Sequence, residues 1–258
     1  MLLETITYDL IQDIATVTLN RPEVMNGLNT QMRAELLASV NRAASEARVL
    51  VLTGAGRAFC SGQDLGDRVS AADLDLERTL REEYEPLLRA IYDCPIPTIA
   101  AVNGPAAGAG ANLALAADVV IATQSAVFIQ AFARIGLIPD AGGTYWLPRQ
   151  MGAAKAMGAA LFAEPITASQ AEAWGMIWEA VPDADFAEKV KTRALQLANG
   201  PTATYALMKQ AMRASYDNTM DVQLDLEAQL QGQAGRTRDF TEGVMAFLEK
   251  RPAQYEGR

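Results

Sequence analysis

Apolar and polar residues alternate in two short stretches near the start of the chain, residues 6–10 and 15–19, with Gln12 and Asp13 between them. A period of two is typical of β-strands, and two such stretches around a short polar break predict a hairpin. Beyond it, Thr30 is expected to cap a helix that runs to about Ala47, because apolar side chains recur there at helical spacing.

Three short runs that are almost wholly apolar follow, at residues 49–52, 98–102 and 119–122. Such runs are typical of parallel strands that are covered on both faces. Residues 74–93, between the first two runs, have helical spacing, and Pro86 is expected to kink that helix. The pattern therefore predicts an α/β body built from strand and helix units.

The apolar spacing is mostly helical in the last part of the chain. Proline and glycine separate five predicted helices, at residues 152–162, 183–198, 201–216, 219–233 and 238–249. We therefore divide the chain into an α/β body, residues 1–200, and a helical C-terminal region, residues 201–258. Lys209 and Arg213 are four residues apart on one of these helices, which indicates a solvated face.

Composition removes several classes of function. The 258 residues are 50% hydrophobic and carry a formal net charge of −9, which argues against the cationic surface that nucleic-acid binding needs. The chain contains no histidine. This absence excludes Ser-His-Asp and Cys-His catalysis and disfavours most zinc sites, so we predict no metal.

The two cysteines, Cys60 and Cys94, do not indicate a disulfide framework, and Cys60 is expected to be a small buried residue. The first residues lack the basic and apolar regions of a secretory signal, and no apolar run is long enough to span a membrane. We therefore expect a cytoplasmic protein without membrane contact.

Three loops are candidates for chemistry: residues 54–65, 103–112 and 135–144. In parallel sheets, ligands bind at loops beyond the carboxyl ends of strands. Phe59 and Leu113 stand where a G-x-G-x-x-G phosphate loop would need glycine, so that fingerprint fails. The glycines permit tight turns, or they leave bare main-chain amides that could hold a negative oxygen. Ala109 is expected to open a helix there, where unpaired amides favour such an oxygen.

Asp140 lies in the third loop, between Pro139 and a pair of glycines further on. A loop aspartate before glycines is often a turn or a helix cap. Its apolar neighbours suggest an alternative. Burial among them would raise the pKa of the carboxyl group until it suits proton transfer. Without histidine, Asp140 is the leading candidate for a general base, and Tyr145, which follows it, is pocket wall or core.

Ordered motifs along nearly the whole chain resemble the enoyl-CoA hydratase/isomerase, or crotonase, superfamily. They are LNRP at 19–22, GRAFCSGQDL at 56–65, AVNGPAAGAG at 101–110, GLIPDAGGT at 136–144, AWGMI at 173–177 and FLEKR at 247–251. The resemblance implies a crotonase-like ββα spiral in the α/β class. It implies a CoA-thioester site in residues 1–200, and C-terminal helices that mediate homotrimers or hexamers made of two trimers.

The resemblance also implies a shared chemistry, the stabilisation of a thioester enolate. By position, the two amides of the oxyanion hole fall on Gln63 and Ala109, with Asp140 as the catalytic carboxylate. The other residues expected to bind substrate are Met25, Ala58, Asp64, Leu65, Gly66, Asn112, Phe132 and Tyr145. Coenzyme A would be part of the substrate, and no separate cofactor is expected.

Two departures from the family pattern narrow the reaction. Asn112 and Phe132 stand where hydratases of the family have the glutamates that activate water. Neither side chain can act as an acid or base, so hydration is disfavoured, and the missing histidine disfavours dehalogenation. FCSGQDLGDR and AEAWGMIWE resemble the branch that converts 1,2-epoxyphenylacetyl-CoA to its oxepin isomer in phenylacetate degradation.

The predicted function is therefore isomerisation of a CoA thioester by proton transfer through one aspartate. The substrate would be 1,2-epoxyphenylacetyl-CoA, a 3-enoyl-CoA that becomes a 2-enoyl-CoA, or both. Two alternatives stay open: an enoyl-CoA hydratase of fatty-acid oxidation, and a non-catalytic member that binds acyl-CoA or RNA.

Overall fold

The first two strands, β1 (Ile6–Ile11) and β2 (Ile14–Leu19), form the predicted hairpin in the computed structural model, which describes residues 3–64, 66 and 75–257. Gln12 and Asp13 make its two-residue turn with φ values of 53° and 61°. Left-handed φ at both central residues is what a tight hairpin turn requires.

The hairpin is followed by helix α1 (Thr30–Glu46), which begins where the sequence predicts but has a different cap. Asn29 Oδ1 accepts a 2.8 Å hydrogen bond from the amide of Met32. Thr30 was expected to cap this helix, and that prediction is wrong. The side-chain oxygen of Asn29 satisfies the free amide one residue earlier.

The predicted apolar runs are neighbouring strands of one parallel sheet: β3 (Val49–Gly54), β4 (Thr98–Val102) and β6 (Val119–Thr123). With β9 (Glu179–Val181) they extend the hairpin into a sheet of order β1-β2-β3-β4-β6-β9, parallel except between β1 and β2. Leu50 and Leu52 pack into the main core on one face, while Val49 and Val51 pack on the other. The expectation of strands covered on both faces is confirmed.

One long helical segment connects β3 to β4. It consists of α2 (Leu76–Thr79), a wider π-helical turn (Leu80–Tyr84) and α3 (Glu85–Tyr92). Pro86 lies in the first turn of α3, directly after the π turn. Proline has no main-chain N–H to donate. The helix tolerates this at Pro86 because the residues after the wider turn start a new hydrogen-bonding pattern.

A small second sheet carries the next segments against the body. It contains β5 (Ala106–Ala107), β7 (Val127–Ile129) and β8 (Ile166–Thr167), while α4 (Ala109–Leu115) follows β5 directly. Short 3₁₀ turns lie at Pro22–Val24 and Ala131–Ile135. Helix α6 (Ala168–Ala173) starts with a capping box of Thr167 and Gln170.

Helix α5 (Gly143–Phe162) begins before the predicted start at residue 152. Gly152, with φ of +77°, interrupts it and marks the point from which helical spacing is clear in the sequence. The chain ends in α7 (Phe186–Ala198), α8 (Thr202–Ala214), α9 (Met220–Ala234) and α10 (Arg238–Glu249). Across the described ranges, no helix is both long and apolar enough to cross a membrane. The division at residue 200 stays a prediction.

Candidate active site

The predicted loops after β3 and β4 lie against each other at the carboxyl edge of the sheet. Cys60 pairs with Ala106 there, and the amide of Ala107 donates to the carbonyl of Cys60 at 2.9 Å. A Cβ atom built on Gly62 would lie 2.7 Å from Ala107 O and 3.3 Å from Ala109 N. Gly62 also has a φ of +92°, so only glycine allows the two loops to approach so closely.

Gln63 and Ala109 each have a main-chain amide with no acceptor among the described residues. Leu28 donates to Gly62 O at 2.8 Å and accepts from the amide of Asp64 at 3.1 Å, which leaves the amide of Gln63 outside this ladder. Ala109 is the first residue of α4, and the first amides of a helix have no intrahelical partner. Gly62 precedes Gln63, and a Cβ on it would lie 3.3 Å from Ala109 N, so the two residues with free amides lie on loops in close approach. That these amides form an oxyanion hole stays a prediction.

The side chain of Gln63 is held by residues that the sequence analysis did not identify. Its Oε1 accepts hydrogen bonds from Tyr84 Oη at 2.6 Å and from Arg33 Nη1 at 3.0 Å. Arg33 is 1% exposed and forms a 2.5 Å ion pair with Glu83. Burial opposes the charge of Glu83, but the hydrogen bond and charge of Arg33 outweigh it and hold its pKa below the usual value. No local pattern marks Arg33, since its partner lies 50 residues away.

Asp140 lies at the entry to α5 with a carboxyl group that does not cap the helix. The carbonyl of Asp140, not its side chain, closes the turn by accepting from the amide of Gly143 at 2.8 Å. Oδ1 of Asp140 is buried and has no hydrogen-bond partner in the described part of the chain. Asp140 is thus a turn residue, as one alternative expected, but its side chain does not cap the helix. Its role as a base stays a prediction.

Burial raises the pKa of Asp140 to about 6. A carboxylate with a pKa near neutrality can both accept and return a proton. Burial raises the pKa of Tyr84, the charge of Arg33 lowers it, and Cys60 and Asp140 raise it further, so Tyr84 and Asp140 share one electrostatic environment. Cys60 is fully buried, and this burial raises its pKa to about 12, which excludes a thiolate near neutral pH.

Asn112 and Phe132 both lie beside the two candidate loops. Asn112 is fully buried, and its Nδ2 donates to the carbonyl of Asp140 at 2.7 Å. Phe132 is 7% exposed, and its Cζ lies 3.7 Å from the position of a Cβ built on Gly108, the residue before Ala109. The side-chain amide of Asn112 thus holds the Asp140 loop, and the ring of Phe132 forms an apolar wall near Ala109. Their contact with substrate stays a prediction.

A cavity of about 390 Å³ lies next to the Asp140 loop, and four of its ten lining residues are aromatic, beside two leucines and the charged Glu85 and Arg89. Ala141 and Gly142, which follow Asp140, form one side of it. Its aromatic side chains are Tyr84, Tyr92, Tyr145 and Trp146. The rings of Tyr145 and Trp146 meet edge to face at 4.8 Å. Tyr145 therefore lies where an acyl group near Asp140 could reach it.

The predicted coenzyme A groove is described in part. Met25 is 39% exposed, whereas Ala58 is 2% exposed, so any substrate contact of Ala58 would involve its main chain. Asp64 accepts from the amide of Gly66 at 2.9 Å and pairs with Arg21 at 2.7 Å. Burial opposes its charge, but the hydrogen bonds and charge of Arg21 hold the pKa of Asp64 below the usual value. Leu65 lies outside the described residues, and the groove stays a prediction.

Lys209 and Arg213 do not form a solvated face. Lys209 Nζ lies 2.7 Å from Asp118 Oδ2, and Arg213 Nη2 lies 2.6 Å from Asp118 Oδ1. Lys209 also donates to the carbonyls of Cys94 and Ile96. The prediction from their spacing is wrong, because partners from the body of the protein anchor α8 at both side chains.

The fold agrees with comparisons against known proteins. The family model described as enoyl-CoA hydratase/isomerase matches residues 10–258. The crystal structure of an enoyl-CoA hydratase from Bacillus anthracis superposes with a TM-score of 0.91 at 31% identity, over 99% of this chain and 100% of that one. The chain belongs to the enoyl-CoA hydratase/isomerase family and has the crotonase-like α/β fold of that superfamily, so the resemblance in its motifs is confirmed.

Curated relatives point to two reactions within this family. A protein of Rhodobacter capsulatus named "Probable enoyl-CoA hydratase" is 63% identical, with 98% of each chain covered. The 1,2-epoxyphenylacetyl-CoA isomerase of Escherichia coli is 47% identical, with 100% of each chain covered. The family is thus established, and the choice between hydration and isomerisation depends on the residues of the site.

Proposed function

We propose that this protein is a CoA-thioester isomerase that moves a proton with Asp140. The observation that carries the proposal is the carboxyl group itself: its Oδ1 is buried without a partner among the described residues, and burial raises its pKa to about 6. Asn112 and Phe132, which stand where hydratases of the family have catalytic glutamates, offer no second acid or base. One carboxylate suffices for a proton shift, whereas hydratases of the family use two glutamates to place and activate water, and both are missing here.

The proposed reaction begins with the thioester carbonyl between the amides of Gln63 and Ala109. Asp140 removes a proton from the carbon next to the carbonyl, and the electron pair forms an enolate whose oxygen accepts from both amides. Each such donor contributes about 3 kcal/mol in other enzymes. In a 3-enoyl thioester, the electrons then shift along the chain, and the proton returns two carbons further away. The product is the 2-enoyl isomer, with the same atoms.

The aromatic cavity favours an acyl group that carries a ring. Tyr84, Tyr92, Tyr145 and Trp146 line part of the cavity beside the Asp140 loop, and aromatic faces and edges pack well against another ring. In 1,2-epoxyphenylacetyl-CoA, the strained ring system opens to the seven-membered oxepin, and the proton removed by Asp140 returns to the ring. The similarity to the Escherichia coli isomerase supports this substrate.

A second candidate is an enoyl-CoA hydratase, which the name of the Rhodobacter capsulatus relative favours. Hydration would need a group other than Asn112 and Phe132 to activate water. The two candidates differ in product mass, because isomerisation leaves the mass unchanged and hydration adds one water.

The deciding experiment is product analysis by mass spectrometry with 1,2-epoxyphenylacetyl-CoA, a 3-enoyl-CoA and a 2-enoyl-CoA. The proposal expects isomers of the first two substrates and no hydrated product from the third. Asp140→Asn is expected to abolish isomerisation and proton exchange next to the thioester in heavy water, while acyl-CoA still binds. Hydrated product as the main outcome, or full activity of Asp140→Asn, would overturn the proposal.

We also propose that the chain works as a homotrimer or as a hexamer of two trimers in the cytoplasm. The last three helices expose several large apolar side chains that an assembly would cover: Met212, Met220, Phe247 and Leu248. The reaction needs no cofactor besides the coenzyme A of the substrate. No nucleic acid or membrane partner is proposed, in keeping with the net charge of −9.

A further inference from the structure

Two buried amide side chains form a hydrogen-bonded chain that ends on the main chain of Asp140. Gln130 Nε2 donates to Asn112 Oδ1 at 2.9 Å, and Asn112 Nδ2 donates to Asp140 O at 2.7 Å. Asn112 is 0% exposed and Gln130 is 1% exposed. Water therefore has no access to either amide, and the two hydrogen bonds define a single orientation for Asn112.

Asn112 connects the two halves of the proposed site. It belongs to α4 and lies three residues after Ala109, whose amide is one donor of the proposed oxyanion hole. Its other connection is to the carbonyl of Asp140. A rigid helical turn thus relates the position of the base to the position of the oxygen that the amides hold.

The packing around Asn112 leaves little freedom in that relation. A Cβ atom built on Gly143 would lie 2.4 Å from Asn112 Nδ2, so the start of α5 rests directly on the amide. Oε1 of Gln130 is buried without a partner among the described residues.

From these contacts we infer that Asn112, oriented by Gln130, is a positioning residue that sets the place of Asp140 relative to the oxyanion amides. The inference rests on the proposed function, in which Asp140 is the base. The amide suits this task because it donates to a carbonyl without adding charge. A carboxylate at residue 112 would repel the same carbonyl and oppose the ionisation of Asp140.

Leucine variants of the two amides test the inference, since leucine keeps similar bulk without hydrogen bonds. Asn112→Leu is expected to lower kcat by about 10- to 100-fold, in line with the effect of a small misplacement of a catalytic group, and to leave KM within about threefold. Gln130→Leu is expected to lower kcat by about 3- to 10-fold, because Asn112 keeps its donor but loses its fixed orientation. The rates are compared on the plateau above pH 8, where Asp140 is ionised.

Gln223→Leu is a matched control from α9, in the C-terminal helical region. Gln223 Nε2 donates to the carbonyl of Ala211 at 3.0 Å, and its Oε1 accepts from Asn218 Nδ2 at 3.0 Å. Like Asn112, Gln223 therefore accepts from one side-chain amide and donates to one main-chain carbonyl. It is expected to lower the melting temperature without changing kcat. A role of Asn112 in stability alone would give the same result as this control.

The outcomes separate this inference from the proposed function. An inactive Asp140→Asn enzyme together with a fully active Asn112→Leu enzyme would overturn the inference and leave the base assignment intact. A fully active Asp140→Asn enzyme would overturn the proposed function itself. If Asn112→Leu does not fold, Gln130→Leu decides: unchanged kcat rejects the positioning role, and a lower kcat with unchanged KM supports it.

Discussion

Arg33 and Gln63 are connected by a 3.0 Å hydrogen bond from the guanidinium to the side-chain oxygen, below the proposed oxyanion hole. The same Nη1 atom donates to the carbonyl of Leu28 at 2.6 Å, and Leu28 is the residue that pairs with Gln63. The buried guanidinium of Arg33 thus holds both residues of the Leu28–Gln63 pair, which places the main-chain amide of Gln63. Glu83 forms an ion pair with this cation at 2.5 Å, which compensates for the loss of its hydration on burial.

Tyr84→Phe is predicted to weaken the site without disrupting it. The variant loses the 2.6 Å hydrogen bond to Gln63, while Arg33 still holds that side chain. We expect kcat to fall about fivefold, because one hydrogen bond contributes about 1 kcal/mol. Steady-state kinetics measures this effect. Tyr8→Phe, which removes a hydroxyl bonded to Glu46 at the surface, should leave the rate unchanged. Equal rates for all three proteins would contradict the role of Tyr84.

The activity is predicted to decline in acid with the titration of Asp140. Its pKa is raised to about 6 by burial, and a base must be ionised to accept a proton. The rate should therefore be constant above about pH 7 and fall about tenfold for each pH unit well below 6. A pH–rate profile with a substrate that does not ionise in this range measures it. A rate that stays constant down to pH 5 would exclude Asp140 as the base.

The same pKa predicts that Asp140→Asn stabilises the fold at neutral and alkaline pH. The native state holds the proton of Asp140 up to about pH 6, whereas an unfolded chain releases it near 3.8. The proton on Asp140 therefore contributes fully to the free energy of unfolding below about pH 4, and this contribution is lost as the pH rises to 6. Removing the charge should recover up to roughly 3 kcal/mol at pH 8, less the cost of an unpaired amide.

Urea unfolding of wild type and Asp140→Asn at pH 8 and pH 4 measures this difference. The gain should be present at pH 8 and vanish at pH 4. Asp217→Asn is the control, because Asp217 is exposed at the end of α8. A variant that is less stable than the wild type at pH 8 would contradict the unfavourable burial of this carboxylate.

The contact of Gly62 with the second loop predicts a strong effect of a single methyl group. In Gly62→Ala, the added Cβ would lie 2.7 Å from Ala107 O, so the two loops must separate. We expect the rate to fall by at least about 100-fold, the effect of losing one oxyanion donor. Gly152→Ala is the control, since Gly152 has a similar φ of +77° but, among the described residues beyond its own helix backbone, no atom within 4 Å of the added methyl group. It should lose stability and keep its activity. Similar rates for both variants would reject the close approach of the amides.

The sequence predicts the sheet and most helices because their signals are local. The wholly apolar runs of β3, β4 and β6 and the spacing of α8 to α10 each carry their own period. Helix α5 was found only after Gly152, since Pro148 and the kink at Gly152 interrupt the pattern of its first half. The cap at Asn29 was missed because two neighbouring polar residues could serve equally well.

The site is predictable where it depends on an absence or on the motifs of the family. The missing histidine makes Asp140 the leading candidate for the base, and the positional match to the family makes Gln63 and Ala109 the candidate oxyanion donors. The support beneath them is not predictable in this way. Arg33 meets Glu83 across 50 residues, and Asn112 meets Asp140 across 28. Such pairs depend on how distant segments fold together, which no local pattern records.

Tyr145→Leu is predicted to change the preference between substrates more than the rate on either one. Tyr145 contributes a ring to the cavity beside Asp140, and its loss removes an aromatic contact with a phenyl-derived acyl group. Such contacts contribute about 0.5 to 1.5 kcal/mol, so kcat/KM for 1,2-epoxyphenylacetyl-CoA should fall about 2- to 10-fold relative to a linear 3-enoyl-CoA.

Tyr216→Leu is the matched control for this change in preference. Both rings stack on the guanidinium of Arg149, at 3.7 Å for Tyr145 and 5.5 Å for Tyr216, but Tyr216 does not line this cavity. The control should therefore leave the ratio of the two kcat/KM values unchanged. Competition of both substrates in one reaction measures the ratio directly. Since errors in enzyme concentration cancel there, an unchanged ratio for Tyr145→Leu would exclude this ring from recognising the acyl group.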